Sequence, residues 1–291
     1  MKLYKYQGAG NDFLLIDNRD GKAAVSTEQI ASLCDRRYGI GADGIMLLES
    51  SDEADFRMAY YNSDGSGGMM CGNGGRCIVA FAARLGIVPR RPDGLYVFEA
   101  PDGLHEAEIT RNAVRLKMRD VHGIKTYGDP SKVAPVTADV NGQIDGYFLD
   151  TGTRHFVKFV SNLKDYDVKW DGMTVRNRSE FSPEGTNVNF VEPVSGILNV
   201  RTYEKGVEDE TFACGTGIVA SAVATFYHIS VNPDASYHFR DAIGRYSDGR
   251  VHIDVQALHD RLSVDFSPAS DGAENIWLTG PAVYVAEVIP A

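Results

Sequence analysis

The stretch that decides the fold is CGNGGRC, Cys71 to Cys77, because its beginning returns 143 positions later as CGTG, Cys214 to Gly217. In both places the cysteine and its glycines precede an apolar run, CIVAFAARLG in the first case and GIVASAVATFYH in the second. A helix with so little polar surface must be enclosed, most simply by a curved sheet. The two stretches therefore predict an α+β chain with two lobes, each with a sheet wrapped around a central helix.

The repeat extends upstream of both cysteines. FRMAYYNSDGSGGMMCG places Asn62 nine residues before Cys71, and NVRTYEKGVEDETFACG places Glu204 ten residues before Cys214. Both read as strand, tyrosine, polar residue, loop, Cys-Gly and helix. A second echo links GNDFLLID with TNVNFVEP, each with an asparagine just before an apolar strand. A duplication with a period near 143 residues predicts two lobes of similar, pseudo-symmetric architecture, each built on a mostly antiparallel sheet.

Length and composition limit the class of protein. The 291 residues exceed the usual size of a single core, and 43% hydrophobic with 24% charged residues is typical of globular chains. A formal charge of −11 disfavours nucleic acid as a partner. The stretch MKLYKYQGAGNDFLLID has no uninterrupted apolar region, and nowhere do 18 apolar residues run together, so we expect neither secretion nor membrane insertion. A homodimer is compatible with the sequence, which does not specify an oligomeric state.

The cysteines are expected to be free thiols. Four of them without a CxxC pair favour a reducing cytoplasm over a disulfide framework or dithiol redox chemistry. We interpret Cys34 and Cys77 as core residues. The seven histidines never pair at metal-ligand spacing, so no metal site is predicted. GIGADG, which ends at Gly44, matches a dinucleotide-binding pattern literally, but a predicted helix precedes it and a strand follows, so it is interpreted as a loop.

The other two cysteines suit acid–base chemistry. The free amides and dipole at a helix N-terminus stabilise a thiolate by roughly 0.3–1 kcal/mol, and by up to ~2 kcal/mol when partly buried. The glycines behind each cysteine let the amides of Gly72 and Asn73, or of Gly215 and Thr216, approach a carboxylate closely. If the two equivalent loops flank one substrate carbon, one thiolate removes its proton and the other thiol protonates the opposite face. The sequence therefore predicts a racemase without a cofactor.

The motifs together resemble one known family. GAGNDF, YNSDGS, MCGNGGRC, TNVNF, YEKGVEDET and ACGTG are similar to those of diaminopimelate epimerase, and the match runs through the whole chain in order. The resemblance implies a cytoplasmic isomerase of lysine and peptidoglycan precursor synthesis that converts LL- to meso-diaminopimelate without pyridoxal phosphate or metal. It also implies a first lobe of residues 1–120 with 280–291 and a second of residues 121–279.

The resemblance also assigns roles to residues. Cys214 would take the α-proton from the LL isomer and Cys71 would protonate the other face, with the roles reversed in the opposite direction. His155 and Glu204 would tune the ionisation of the cysteines. The residues that would contact the carboxylates and ammonium groups of the substrate are Asn11, Asn62, Gly72, Asn73, Asn187, Glu204, Lys205, Gly215 and Thr216.

Three departures from the family pattern concern the non-reacting end of the substrate. Lys205 stands where the family usually has an arginine, Thr153 and Arg154 replace an Asn-Pro pair before His155, and Gly44 stands where many members have a glutamine. Three alternatives are open for this end of the substrate. Arg154 replaces the missing guanidinium; or Arg154 is solvated and Lys205 alone binds the carboxylate; or the pocket accepts another amino acid. The rival functions are a racemase of another amino acid, a thiol redox protein and a binding module without catalysis.

Overall fold

The computed structural model describes residues 1–111, 113–133, 143–232 and 237–290. The chain forms two compact units. Unit 1 consists of Met1–Lys117 and Thr279–Ala291, and unit 2 consists of Met118–Leu278. Unit 1 is therefore discontinuous, because the chain leaves it, builds all of unit 2 and then returns.

Unit 1 contains eight strands and two helices among its described residues. The strands are β1 (Leu3–Gly8), β2 (Asn11–Asp17), β3 (Gly44–Glu49), β4 (Phe56–Asn62), β5 (Tyr96–Ala100), β6 (Gly103–Ile109), β7 (Val114–Lys117) and β18 (Val283–Val288). The helices are α1 (Thr27–Cys34) and α2 (Gly72–Arg84). The strands lie side by side in the order β18, β1, β2, β3, β4, β5, β6, β7. Two of these pairings, β2 with β3 and β4 with β5, are parallel, and the others are antiparallel.

Unit 2 repeats this plan with additions. Its strands are β8 (Lys125–Tyr127), β9 (Gly146–Asp150), β10 (Arg154–Phe159), β11 (Asn187–Val194), β12 (Ile197–Glu204), β13 (Asp209–Thr211), β14 (Gly244–Arg245), β15 (Val251–Gln256), β16 (Arg261–Ala269) and β17 (Gly272–Gly280). Its helices are α3 (Val168–Arg176), α4 (Gly215–Val231) and α5 (Tyr237–Asp241). Short 3-10 turns lie at Leu163–Asp165 and Ser179–Phe181.

The strand pairings show which elements of the two units correspond. In unit 1, β1 pairs antiparallel with β2, β2 parallel with β3, β3 antiparallel with β4, and β4 parallel with β5. In unit 2, the strands β9, β10, β11, β12 and β15 follow the same sequence of directions. In each unit the long helix after the first four of these strands begins directly after a cysteine, Cys71 in unit 1 and Cys214 in unit 2. The prediction of two similar α+β halves is confirmed.

The second predicted echo is wrong in detail. It aligned the strand that begins at Asn11 with the strand that begins at Asn187, but these are β2 and β11, which occupy different places in the repeated plan. Phe13 pairs with Gly44 across a parallel ladder, and His155 pairs with Asn187 in the same way. Local similarity of two strands cannot distinguish neighbouring places in a sheet, because the pairing is set by residues distant in sequence.

The two long helices are enclosed by the sheets, as predicted. Helix α2 packs against β1, β2, β3, β6, β7 and β18, and helix α4 packs against β9, β10, β11, β12, β15 and β16. Every residue from Gly72 to Val79 is buried, and so is every residue from Gly217 to Phe226. Each apolar helix therefore forms the centre of its own unit.

The fold also shows the places of several smaller features. Cys34 and Cys77 are buried core residues, as predicted. Helix α1 has Ser26 as its N-cap and ends at Cys34, because Asp35 adopts an extended conformation and its side chain accepts the amides of Arg37 and Tyr38. Gly44 is the first residue of β3 and not part of the loop before it. Among the described residues, no helix has the length and apolarity needed to cross a membrane.

Candidate active site

Cys71 caps the first turn of α2. It adopts an extended backbone conformation, and its Sγ accepts a hydrogen bond from the Gly74 amide at 3.2 Å. The side chain is partly exposed, whereas the helix behind it is buried. The sulfur therefore occupies the place where a helix N-cap normally presents an oxygen, with a backbone N–H directed at it, an environment that favours a thiolate.

The neighbouring Asn73 is held on both sides. Its Nδ2 donates to Asn11 Oδ1 at 2.5 Å, and its Oδ1 accepts from the Arg76 guanidinium at 2.8 Å. Asn11 in turn donates from its Nδ2 to Asp43 Oδ2 at 3.0 Å. This chain of bonds joins the start of β2, the loop before β3 and the first turn of α2. Two of the predicted substrate-binding residues are therefore in direct contact.

Cys214 is the N-cap residue of α4, but its sulfur contacts a side chain and does not cap a backbone N–H of the first turn. Its Sγ lies 3.4 Å from the Thr216 hydroxyl, and the residue is only 8% exposed. Thr216 Oγ1 also lies 3.0 Å from His155 Nε2 and within 3.3 Å of the Thr153 hydroxyl. The hydroxyl of Thr216 therefore connects the sulfur to a buried imidazole.

The tautomer of His155 follows from its surroundings. Asn189 donates from Nδ2 to His155 Nδ1 at 3.0 Å and to the Phe156 carbonyl, while its Oδ1 accepts from the Thr202 hydroxyl at 2.9 Å. Because His155 Nδ1 accepts, Nε2 carries the hydrogen and donates to the threonine hydroxyls. The side chain is completely buried, and burial lowers the pKa of His155 to about 3. The imidazole is thus a fixed neutral donor, and the Thr216 proton is left to face Cys214.

Glu204 is a second neighbour of Cys214. Burial raises the pKa of the Glu204 carboxyl, while hydrogen bonds from Thr211 and Cys214 act in the opposite direction. The Thr211 hydroxyl donates to Glu204 Oε2 at 2.9 Å. The cysteine of unit 2 is therefore placed next to an acid that resists ionisation, which fits the tuning role that the resemblance implies.

Glycines at equivalent positions keep both cysteine turns narrow. A Cβ on Gly74 would lie 3.3 Å from Cys71 Sγ, and a Cβ on Gly217 would lie 2.3 Å from Asn189 Oδ1 and 3.3 Å from His155 Cε1. A side chain at either position would press on the sulfur or on the residues that orient the imidazole. The third residue after each cysteine must therefore be small.

A second group of predicted residues gathers around Asn187. Its Oδ1 accepts from the Lys205 amide at 2.8 Å, and its Nδ2 donates to the Arg154 carbonyl at 3.0 Å. Arg154 Nη1 pairs with Glu184 Oε2 at 2.7 Å, and Lys205 Nζ donates to the Glu184 carbonyl at 3.2 Å. Asn187 thus braces the two cationic residues, and both of them contact Glu184. Glu184 was not anticipated from the sequence.

The sheet register relates these positions across the repeat. The predicted residues of unit 1 have counterparts in unit 2, at the edge of each sheet where β2, β3 and β11 begin and β4 and β12 end, and in the first turn of the helix that follows. The corresponding pairs are Asn11 with Thr153, Gly44 with Asn187, Asn62 with Glu204, Cys71 with Cys214, Gly72 with Gly215, and Asn73 with Thr216.

Two predicted residues of unit 1 have local contacts of their own. A Cβ on Gly44 would meet the Tyr61 carbonyl at 2.5 Å, so this position has no room for a longer side chain. Asn62 donates to Ser66 Oγ at 3.0 Å.

Within the described ranges, no group of three or more His, Cys, Asp or Glu side chains is arranged to hold a metal ion. The absence of a metal or cofactor from the reaction stays a prediction.

Comparison with known proteins decides the family. The family model for diaminopimelate epimerase matches residues 3–122 and 147–257, which together make up most of the chain. The chain belongs to the diaminopimelate epimerase family. Both cysteine motifs and the network around His155 lie inside the matched ranges. The recognition made from the sequence motifs is therefore confirmed.

Curated relatives extend over nearly the full length. The chain is 42% identical to the diaminopimelate epimerase of Flavobacterium psychrophilum over 291 residues, which cover 99% of each protein. It is 42% identical to that of Chlorobaculum tepidum over 278 residues, with 94% of this chain and 95% of the relative covered. Both relatives carry the name of an isomerase, in agreement with the enzyme class predicted for this chain.

Solved structures with low sequence identity share the fold. A phenazine biosynthesis protein of the PhzF family from Bacillus anthracis superposes with a TM-score of 0.65 at 16% identity, covering 99% of this chain and 98% of that one. A hydroxyproline epimerase from Agrobacterium vitis, solved with bound trans-4-hydroxy-L-proline, gives a TM-score of 0.60 at 13% identity, with 99% and 90% covered. The fold class predicted from the sequence is confirmed by these similarities.

Proposed function

We propose that the protein converts LL-diaminopimelate to its meso isomer with two cysteines, one as base and one as acid. The observation that carries the proposal is the placement of Cys71 and Cys214 at the N-caps of two enclosed helices in equivalent elements. The identity to curated diaminopimelate epimerases over nearly the whole chain supports the substrate. The cysteine mechanism is the proposal's own step.

The reaction needs a base on one face of the α-carbon and an acid on the other. In the proposal, the thiolate of Cys214 removes the α-proton of the LL isomer, and the electron pair left on carbon delocalises into the carboxylate. The thiol of Cys71 then delivers a proton to the opposite face, so the net change is inversion at one carbon. Amides at the helix starts hold the carboxylate where its charge increases in the transition state.

The proposed roles of His155 and Thr216 differ from proton transfer. Because the pKa of His155 is held at about 3, the imidazole has no proton to give beyond its Nε2–H, which stays on nitrogen. It donates to Thr216 Oγ1 and thereby directs the hydroxyl proton of Thr216 toward Cys214. We infer that this hydrogen bond stabilises the thiolate form of Cys214, while Glu204 supports its thiol form.

For the non-reacting end of the substrate, we propose the group formed by Arg154, Lys205 and Glu184. This end carries one carboxylate and one ammonium group, and the group offers two cations and one carboxylate braced by Asn187. Arg154 Nη1 donates to Glu184 Oε2 at 2.7 Å. Arg154 and Lys205 would bind the carboxylate and Glu184 the ammonium, so the guanidinium lost at position 205 is supplied from position 154.

Proton NMR of the reduced protein in D₂O tests the reaction. With LL-diaminopimelate, the α-proton signal should disappear as the meso isomer forms, and Cys71→Ala and Cys214→Ala should each lower epimerisation by about 10²–10⁴-fold. Cys34→Ala is the matched control, because this thiol is buried in the core around α1, where burial raises its pKa to about 11. It should epimerise at the rate of the unsubstituted protein.

The single variants also assign the faces. In Cys71→Ala, Cys214 alone can exchange the α-proton of the LL isomer for deuterium without inverting the carbon. In Cys214→Ala, Cys71 should exchange only the meso isomer. If instead Cys71→Ala exchanged only the meso isomer and Cys214→Ala only the LL isomer, the base for each isomer would be the other cysteine. Full epimerisation by either folded variant would disprove the two-cysteine mechanism, and exchange of a different amino acid by the unsubstituted protein would favour the sister racemase.

The distal group is tested by steady-state kinetics. We expect Arg154→Ala and Lys205→Ala each to raise KM about tenfold, since each removes a charged partner of the carboxylate. Arg178→Ala is the control, because Arg178 forms a similar ion pair with Glu180 on the same unit. An unchanged KM in Arg154→Ala would remove Arg154 from the binding group.

We also propose that the protein is located in the cytoplasm.

A further inference from the structure

Helix α2 contains a charged residue where an enclosed helix is expected to be apolar. Arg76, one turn after Cys71, is 0% exposed and is the largest fully buried side chain among the described residues. Removing a guanidinium from water costs several kcal/mol unless its donors are well satisfied. A charge at such a place therefore needs a reason, and its contacts indicate one.

The guanidinium of Arg76 binds the residues that follow Cys71. Nη1 donates to the Gly72 carbonyl at 3.2 Å, and Nη2 donates to Asn73 Oδ1 at 2.8 Å. Nε donates to the Pro281 carbonyl at 3.1 Å, just before β18. Gly72 and Asn73 are the two residues whose amides are proposed to hold the substrate carboxylate. We call these two residues the Gly72–Asn73 cradle, and Arg76 contacts it from the buried side.

The bond to Gly72 also affects the strength of the cradle. The carbonyl of Gly72 and the N–H of Asn73 belong to one peptide group. When a cation binds the carbonyl, the peptide becomes more polarised and its N–H becomes a stronger donor. The positive charge lies behind the first turn of the helix and adds to the field of the helix dipole at Cys71.

We propose that Arg76 is a positioning residue that fixes the Gly72–Asn73 cradle and favours an anion at Cys71. The inference rests on the proposed function, because it assumes that Cys71 and this cradle act on the substrate.

The repeat makes this effect one-sided. Arg76 is the fifth residue after Cys71, and the fifth residue after Cys214 is Val219, which is fully buried in α4. Cys214 instead adjoins the carboxyl of Glu204. A buried cation therefore supports one cysteine and an acid adjoins the other. The buried cation of α2 therefore favours an anion at Cys71 and has no counterpart at the same position of α4.

Alkylation of the two cysteines in one sample tests the proposal without any substrate. Iodoacetamide reacts with thiolates, and mass spectrometry of the peptides gives separate rates for Cys71 and Cys214. In Arg76→Gln we expect the rate at Cys71 to fall about three- to tenfold relative to Cys214, since tenfold in thiolate fraction is one pKa unit. Arg76→Lys keeps the charge and should retain most of the rate at Cys71.

The lysine variant separates charge from geometry. It cannot keep the planar set of bonds to Gly72 and Asn73, so we expect it to raise KM for diaminopimelate about tenfold although Cys71 stays reactive. Arg84→Gln is the matched control. Arg84 lies eight residues, about 12 Å, further along the same helix and stacks on Tyr284. It should change neither the alkylation ratio nor KM.

An unchanged ratio and an unchanged KM in folded Arg76→Gln would overturn the proposal. If neither Arg76 variant folds, the unsubstituted protein decides by ¹⁵N NMR of its guanidinium groups. Binding of diaminopimelate should then shift the Nε–H signal of Arg76 and leave that of Arg84 unchanged, and a static Arg76 signal on saturated protein would equally overturn it. A protein that turns over a different amino acid refutes the proposed substrate but still reports on Arg76 through alkylation.

Discussion

The buried His155 makes the stability of the protein depend on pH in a direction that the structure fixes. In the unfolded chain a histidine has a pKa of about 6.5. Burial lowers the pKa of the folded His155 to about 3. Between these values the unfolded chain binds a proton that the folded protein does not. The free energy of unfolding therefore decreases as the pH falls from about 6.5 toward 3. Above about 6.5, proton binding at His155 no longer lowers it.

The size of the effect follows from the two pKa values. At pH 5.5 the proton bound by the unfolded chain lowers the free energy of unfolding by about 1.4 kcal/mol, and at pH 7.5 it lowers it by less than about 0.1 kcal/mol. In His155→Gln this difference disappears because glutamine does not titrate. The other histidines remain in both proteins, so their contributions cancel in the comparison.

Urea denaturation at pH 7.5 and 5.5 measures the difference. Both tryptophans of the chain, Trp170 and Trp277, belong to unit 2 together with His155, so their fluorescence follows the unit that contains the imidazole. We expect the unsubstituted protein to lose about 1.4 kcal/mol more than His155→Gln between the two pH values. Equal losses would mean that folded His155 titrates near its ordinary pKa, and the reasoning that makes it a fixed neutral donor to Thr216 would be refuted.

Two further substitutions test the geometry of the site. Thr216→Val removes the hydroxyl next to Cys214 and should lower kcat about tenfold, whereas Thr225→Val removes only a bond within α4 and should leave kcat within about twofold; equal losses would show that the hydroxyl does not act on the sulfur. Gly44→Ala places a Cβ 2.5 Å from the Tyr61 carbonyl and should lower the free energy of unfolding by about 1–3 kcal/mol in urea titrations. Unchanged stability would show that β3 and β4 can separate at this point.

The sequence predicted those parts of the fold that depend on local patterns. The apolar runs after Cys71 and Cys214 identified α2 and α4, because a helix without a polar face has to be enclosed whatever surrounds it. The roles proposed for the cysteines rest on the helix N-termini and on the family motifs.

The sequence could not predict which strands correspond between the units. That correspondence is set by parallel pairings such as β2 with β3, whose partners are separated by a helix and a loop. The misplaced echo of Asn11 and Asn187 shows the limit, because two short strands that begin with asparagine are alike in letters and different in position. The register of the sheets resolves them.

The site residues missed by sequence reasoning act through distant partners. Glu184 meets Arg154 from a loop thirty positions away, and nothing local marks it. Asn189 had a signal that was not used, since it is two residues after Asn187 in a strand and therefore lies on the same face. The burial of Arg76 had no signal, because the charge looks the same in the sequence whether it faces water or Pro281.

The return of the chain to unit 1 gives the protein an order of assembly during synthesis. The segment with Pro281 and β18 emerges from the ribosome only after the whole of unit 2, which is continuous and can fold as soon as it is complete. Until then β1 lacks its outer neighbour and the Nε of Arg76 lacks the Pro281 carbonyl. The support behind Cys71 is therefore among the last contacts that a nascent chain can make, and a chain truncated before Pro281 would lack both β18 and the carbonyl that binds Arg76.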